Sequence, residues 1–455
     1  MLVRDIKRLV LVVGPVLLFL FLGVALWDSE YAFRLRSQAG DFFSGTATTR
    51  PIPAAPAPGH NPPPPGQTPS HTHQESHREL FSLWTADKKY FPIKFGTQGT
   101  FNPNIIPHST KDNTYIIVGQ KATEPGIDPS FTFFEIGCEA VFVEGTLRCD
   151  VPAILPVAPT VGPPLYCEKQ PGITGLLGLN IGPHDARLLY GPTKPYLLFG
   201  SNSMFTCFGM WLQDFRTLMD LGDSEKTTHG EHDDDFTRAT ELQRPPPFLG
   251  VEKNWFIFWD RDNTPHVHVD SFPTRVMAQL NPDGSVGKDL GPYAADQDSK
   301  CLAHFLPPLP ARNESIHQAT NSLRVTMCHR GECAPDENNT VIIAIIQHKK
   351  YYNYHGEYEP YVVAFRDRSP FEIFGISEKP LWIHGREYLP DGPDGREASE
   401  MFYVVSMNWK ERGRNYHGYL DDEILLAFGI DDRGAGGMDV LAGDLLAGLG
   451  LCAEV

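Results

Sequence analysis

Val341-Ile-Ile-Ala-Ile-Ile346, followed after a polar interval by Tyr361-Val-Val-Ala-Phe365, sets the reading of this chain. Each run is short, rich in β-branched and aromatic residues, and bounded by turn-forming residues, the signature of a strand. The same unit recurs at Tyr115–Val118, Phe131–Phe134, Tyr196–Phe199, Trp255–Trp259 and Phe402–Val405. Gly, Pro, Asn and Asp clusters separate the runs, and few segments sustain a helical period. The 40 prolines and 41 glycines suit a chain dominated by turns. The pattern predicts an all-β fold, either a propeller or a large sandwich. Five units of about 75 residues each would make a propeller with long loops.

Working outward, the N-terminus has a different character. Leu9 to Trp27 are apolar, glycine or proline throughout, and Arg4, Lys7 and Arg8 stand just before them. A helix of that length rises about 28 Å, close to the thickness of a thin bilayer. The basic flank predicts a cytoplasmic tail (1–8), a transmembrane signal anchor (9–27) and a luminal remainder. A cleaved signal peptide is the competing reading, but its apolar core is shorter and ends in small residues. Residues 28–77 form a stem rich in proline, including Pro62–Pro65, that cannot bury enough apolar surface to fold. His71, His73 and His77 are read as solvated stem residues. The globular part is expected at 78–455, in the lumen of the Golgi or endoplasmic reticulum.

The formal net charge of -17 argues against a nucleic-acid partner, because phosphate backbones need a basic face. All eight cysteines lie beyond the anchor, so an oxidising lumen should pair some of them. Cys138 with Cys149 and Cys328 with Cys333 are the nearest neighbours, though spacing does not fix connectivity. Asn313-Glu-Ser and Asn338-Asn-Thr are glycosylation sequons. The acidic stretch Asp220–Asp235 reads as an exposed insertion. Its Asp233-Asp-Asp235 lacks the preceding apolar strand of a metal-binding carboxylate motif, and no metal ligand is assigned.

Several clusters carry chemistry. Gly175 to Leu189 contains Gly182-Pro-His-Asp-Ala-Arg187, whose turn delivers Asp185 and Arg187 at a strand edge. A carboxylate there can move a hydroxyl proton, and a guanidinium can hold an anionic leaving group. Glu252 to Asp260 includes Lys253, Asn254, Trp255 and Trp259; the tryptophans are either sugar platforms or core. Alternation puts His266, His268 and Asp270 on one strand face, as a metal site or as a polar, solvent-facing strand. His317–Arg324 and Tyr351–Glu357, with His355, read as polar loops. Asp421 and Asp422 precede an apolar strand, and adjacent buried carboxylates would repel, so one should meet a cavity or a donor.

Together, Gly175–Leu189, Glu252–Asp260 running on to Arg275, and His417–Ile430 resemble the fungal β-mannosyltransferases, membrane-anchored enzymes of cell-wall glycan synthesis. That family is similar to the five-bladed β-propeller mannoside phosphorylases of glycoside hydrolase family 130, which carry a Gly-x-Glu-Asp-Pro-Arg motif, a Lys-Asn-Trp motif and a late tyrosine-rich segment ending in Ala-Asp. The counterparts here are Gly182–Arg187, Lys253-Asn-Trp255 and Tyr419-Leu-Asp-Asp422, and Phe101-Asn-Pro103 resembles an early propeller motif. His184 and Ala186 depart from the Glu and Pro of the first motif. The resemblance implies a five-bladed β-propeller that transfers mannose from GDP-mannose to a mannan-type glycan with inversion. It implies Asp185 and Asp422 as catalytic residues, Asp185 as base, with Asp421 and Asp422 on mannose hydroxyls. It places Arg187, Lys253, Arg275, His317 and Arg324 on the diphosphate, and Asn254 and His355 on the substrate. No cofactor is implied beyond the donor, and metal dependence stays open. Two readings compete with it: a phosphorylase or hydrolase of β-mannosides, and an inactive glycan-binding propeller.

Overall fold

The computed structural model describes residues 76–123, 131–157, 160, 167, 173–222, 234–309, 314–352, 355–389 and 398–455. The anchor (9–27), nearly all of the stem, Asn313 and Asp233 lie outside them. Among the described residues no helix is long and apolar enough to cross a membrane.

The described chain is all-β, arranged in five successive groups of strands. The first holds β1 (Phe91–Phe95), β2 (Thr100–Pro107), β3 (Thr114–Lys121), β4 (Glu135–Val143) and β5 (Thr146–Cys149). The second holds β6 (His184–Tyr190), β7 (Pro195–Asn202), β8 (Phe208–Asp214) and β9 (Thr240–Glu241). The third is β10 (Phe256–Trp259), β11 (Pro265–Asp270) and β12 (Val276–Gln279), followed by helix α1 (Ala295–Phe305). The fourth is β13 (Glu314–Gln318), β14 (Leu323–Thr326), β15 (Thr340–Tyr352), β16 (His355–Arg366) and β17 (Ile373–Ser377). The fifth is β18 (Phe402–Trp409), β20 (Glu423–Ile430) and β21 (Gly434–Leu441); the short β19 (His417–Tyr419) pairs in parallel with β14.

The apolar runs have a simple cause: each sheet is covered on both faces, so both alternating sets of side chains are apolar. Ile342 and Ala344 of β15 pack with Phe256, Phe258 and Met277 of the third group. Val341, Ile343 and Ile345 turn the other way, onto Val404, Leu426 and Met438 of the fifth. Leu197 meets Ile106 and Val118 of the first group, whereas Leu198 meets Ile257 and Val267 of the third. Leu425 and Ala427 then pack on Ile93, Ile105 and Ile117, returning from the fifth group to the first. The five groups therefore pack in cyclic order, the first and fifth running on into one sheet. β1 joins the ends: Phe91 and Pro92 pair with β21, and Ile93–Phe95 pair with β5.

The leading strands of the groups are stitched by buried polar side chains. Asn104 donates to the Ala186 carbonyl and accepts from Leu188 N–H. Asn408 donates to the carbonyls of Ile105 and Leu188, Ser322 to Ile257, and Asn321 to Met407.

Local corrections follow from packing. Phe131–Phe134 is not a strand; Phe131 sits at positive φ, and only Thr132 bridges to Ile181. Tyr351–Glu357 is not a free loop but the end of the β15–β16 hairpin, with Lys350 opposite Glu357. His77 is not a solvated stem residue: it pairs with Glu359 at 2.6 Å and packs edge-on to Trp382. All eight cysteines are paired, as Cys138–Cys149, Cys167–Cys207, Cys301–Cys452 and Cys328–Cys333.

Candidate functional site

At the start of β2 and of β6 the strand pairing breaks register, between Phe101 and Asn104 and between His184 and Arg187. Bulges of this kind re-aim side chains. The residues they turn out are Asn102 (φ 50°) and Asp185 (φ 51°), both left-handed. Asn254, just before β10, has φ 62°, and Asp432, just after β20, has φ 49°. Asn and Asp tolerate this region best, and such residues gather where a fold serves a site.

Asn102 Nδ2 donates to Asp185 Oδ1 at 2.9 Å, and Lys253 Nζ and His184 Nδ1 approach Oδ2 at 2.9 and 3.0 Å. Gln120 accepts the Asp185 backbone N–H, and buried Glu135 accepts that of Ala186. Burial pushes the Asp185 carboxyl up, but the charges of His184 and Lys253 and their hydrogen bonds outweigh it. The group ends well below the usual carboxylate range. Glu135 is the reverse: burial, helped by the Asp185 charge, pushes its carboxyl well above the usual range.

Two glycines make this arrangement possible. Gly182, at φ +85°, passes so close to Phe133 that a Cβ would lie 2.4 Å from its carbonyl oxygen. A Cβ on Gly429 would lie 2.5 Å from Asn102 Oδ1, the side chain that holds Asp185.

Asp432 completes the group from the fifth sheet. Burial, then the Asp185 charge, raises its carboxyl to about 6, against the pull of Lys253 and Lys349. Lys349 lies over the rings of Tyr351 and Tyr358, and Tyr358 stands edge-on to Tyr403 at 4.9 Å. His317 shares hydrogen bonds with Asn254 and Ser315. Burial and the charges of Lys349 and Lys253 push its imidazole down to about 4, so it is neutral and not a cationic holder of phosphate. The ensemble joins an ionised carboxylate, a second one poised near neutrality, and two lysines.

Of the sequence candidates, Asp185, Arg187, Lys253, Asn254 and His317 converge here. Arg187 is buried and does not face a ligand. It donates Nε to the Ala319 carbonyl, Nη1 to the Asp185 carbonyl, and Nη2 to Asn254 and Tyr403. Its part is to fix the site's frame.

The late aspartate pair does not join them. Trp409 pairs with Ile424, and Tyr403 with Gly429, so Asp422 lies beyond the far end of β18. At about 3.3 Å per residue, β20 puts roughly 25 Å between Asp422 and Asp432. Asp422 pairs with Arg330 at 2.7 Å and Arg414 at 2.8 Å, and Asp421 accepts the Arg330 backbone N–H. Arg275 is a core ion pair with Asp298, at 2.9 Å, and donates to His268. Arg324 donates to the Asp260 carbonyl beyond the far end of β10. His355 bonds the Ser399 carbonyl at the hairpin end.

Trp255 and Trp259, 2% and 5% exposed, are core and not sugar platforms. His266 and His268 are buried, stacked on Phe258 and Phe256, and do not form a solvent-facing row, and Asp270 pairs with Arg244. Among the described residues no His, Cys, Asp and Glu cluster has metal-binding geometry. Sequence reasoning missed Glu135, Lys349, Tyr403 and Asp432. The Asp431-Asp432 pair after Gly429-Ile430 was the available signal, mirroring the pair at 421–422.

No protein-family model matches the chain, and no curated protein matches it. Solved structures do. A β-1,2-mannobiose phosphorylase from Listeria innocua is 12% identical, covering 81% of this chain and 96% of its own, with a TM-score of 0.43. A GDP-Man-dependent mannosyltransferase from Leishmania mexicana is also 12% identical, covering 79% and 91%, with a TM-score of 0.39. An α-L-arabinofuranosidase from Lactobacillus brevis is 10% identical, covering 75% and 90%, at 0.37.

Proposed function

We propose that the chain is a five-bladed β-propeller glycosyltransferase that moves mannose from GDP-mannose to a mannan-type glycan with inversion. The observation that carries this reading is the pair Asp185 and Asp432, whose surroundings push their proton affinities in opposite directions beside two lysines. Such divergence marks acid–base assignments in sites that handle hydroxyl protons. The sequence resemblance supplies the mannose and the nucleotide; the geometry supplies the charge pattern.

The acceptor hydroxyl attacks the anomeric carbon, its proton passes to Asp432, and the bond from that carbon to the diphosphate breaks. Asp432, at about 6, is the better base, because a proton acceptor works best with an affinity near the operating pH. This moves the role of base from Asp185. Asp185 stays ionised and steadies the positive charge that develops on the sugar ring. Lys253 and Lys349 take the departing diphosphate, and neutral His317 with Asn254 offers uncharged hydrogen bonds.

Four disulfides support an oxidising compartment, in keeping with a type II anchor at 9–27 and a Golgi or endoplasmic reticulum lumen. Incubation of the full chain with GDP-mannose and a mannooligosaccharide should give a β-mannoside. The D185N variant should lose at least about a thousandfold in turnover. Product only from a β-mannoside plus phosphate would assign a phosphorylase, and sugar binding without turnover a binding module.

A further inference from the structure

Beyond the far ends of the leading strands lies a separate cleft of about 440 Å³. Pro192 follows β6, Asn263 follows β10, and Glu411 to Asn415 follow β18, so these turns form its walls. Tyr403 to Trp409 of β18, about 20 Å of strand, separates it from the Asp185 site. Its volume falls within the range of small-molecule sites.

Arginines gather at this cleft. Arg324, Arg412 and Arg414 line the cleft, and Arg330 stands close by His417. Against them are Glu411 and Asp422, both held by Arg414, with Asp422 shared by Arg330, and Asp112, held by Arg412. Asp421 accepts the Arg330 backbone N–H, and the buried Asp367 carboxyl lies in the field of Arg261 and Arg324. Arg324 differs from the other three, each paired with a carboxylate, in that its Nη1 donates to a neutral acceptor, the Asp260 carbonyl, at 2.9 Å. The Asp260 carboxylate is turned to the backbone N–H groups of Asp262 and Thr264. The Arg324 guanidinium also lies 5.9 Å from the centre of the Tyr416 ring. Asn263 and Asn415 add amides at the same wall.

We infer that this cleft, centred on Arg324 with Arg412, Arg414, Asn263 and Asn415, binds a phosphate group, carried by a sugar or free in solution. A planar guanidinium with donors to spare is the group that grips a phosphate by two parallel hydrogen bonds. His417 gives the site its own reporter. It bonds Thr326, and burial with the charges of Arg324 and Arg330 pushes it down to about 4. A bound phosphate would offset those charges and let the imidazole take a proton more readily, whatever the state of the transfer reaction.

The test titrates the full chain with inorganic phosphate, mannose 6-phosphate and mannose while following His417 by NMR. Saturable binding of phosphate or mannose 6-phosphate should raise the His417 pKa by about one unit or more. Mannose 6-phosphate binding tighter than phosphate names a sugar phosphate as the ligand; equal binding names the free anion. R324Q should weaken either by about tenfold or more and leave mannose transfer unchanged. Lys253→Met, which removes a cation of the other site, should leave the His417 response intact. An equal response to uncharged mannose, no saturable binding, or wild-type phosphate affinity in R324Q overturns the inference.

Discussion

A single position decides how the site is read: Asp432, not Asp422. Both belong to Asp-Asp pairs flanking the same apolar strand, and nothing in the sequence says which end of β20 faces the Asp185 bulge. The register of β18 against β20 does. Because the folded state holds Asp432 at about 6, above the ordinary 3.8, it favours the protonated form. Its contribution to stability is therefore full below pH 4 and lost as pH rises through 6. D432N should accordingly gain thermal stability relative to wild type at pH 8 but not at pH 4, in paired melting curves. In a transfer assay, D432N should also abolish the acid limb near pH 6. Gly429→Ala tests the support. The added Cβ must displace Asn102, so turnover should fall about tenfold or more while stability drops by about 1–3 kcal/mol. Unchanged turnover in that variant would detach Asn102 from function. Arg187 shows a second kind of illegibility: its motif was visible, but only the fold reveals that its donors are consumed by Ala319, Asp185 and Asn254.

Strands were the legible elements, because covering a sheet on both faces writes an unbroken apolar run such as Val341–Ile346 or Tyr196–Phe199. Their lengths were not. β15 runs on to Tyr352 through Gln347, His348 and two lysines: Gln347 and His348 stay buried because Val404 and Glu314 satisfy them, and the lysines carry the hairpin past the apolar run. The bulges at Asn102 and Asp185 were equally hidden, because a register break belongs to two strands at once. The polar stitching between leading strands is a test at this scale. Asn408→Ala strands the buried carbonyls of Ile105 and Leu188 and should cost about 2–4 kcal/mol in chemical denaturation. A loss below about 0.5 kcal/mol would show that apolar packing alone holds these strands in register.

For the whole molecule, closure rests on three ties. β1 bridges the first and fifth groups, Leu425 and Ala427 complete the last core layer, and Cys301–Cys452 fastens the C-terminus to α1 across 151 residues. A loop that long gives about 4–5 kcal/mol in the chain-entropy account, so C301S/C452S should lose most of that in denaturant unfolding. Length and strand count pointed to a propeller or a sandwich; the cyclic order of the cores, invisible in any one segment, is what separates them. That order brings the openings of five leading strands together, and with them Asp185 and Asp432. The direct measurement is a carboxyl NMR titration of Asp432 in the wild type and in D185N. Asp432 should titrate near 6 in the wild type and move downward once the Asp185 charge is removed. An Asp432 that titrates in the ordinary carboxylate range, indifferent to D185N, would contradict a shared site.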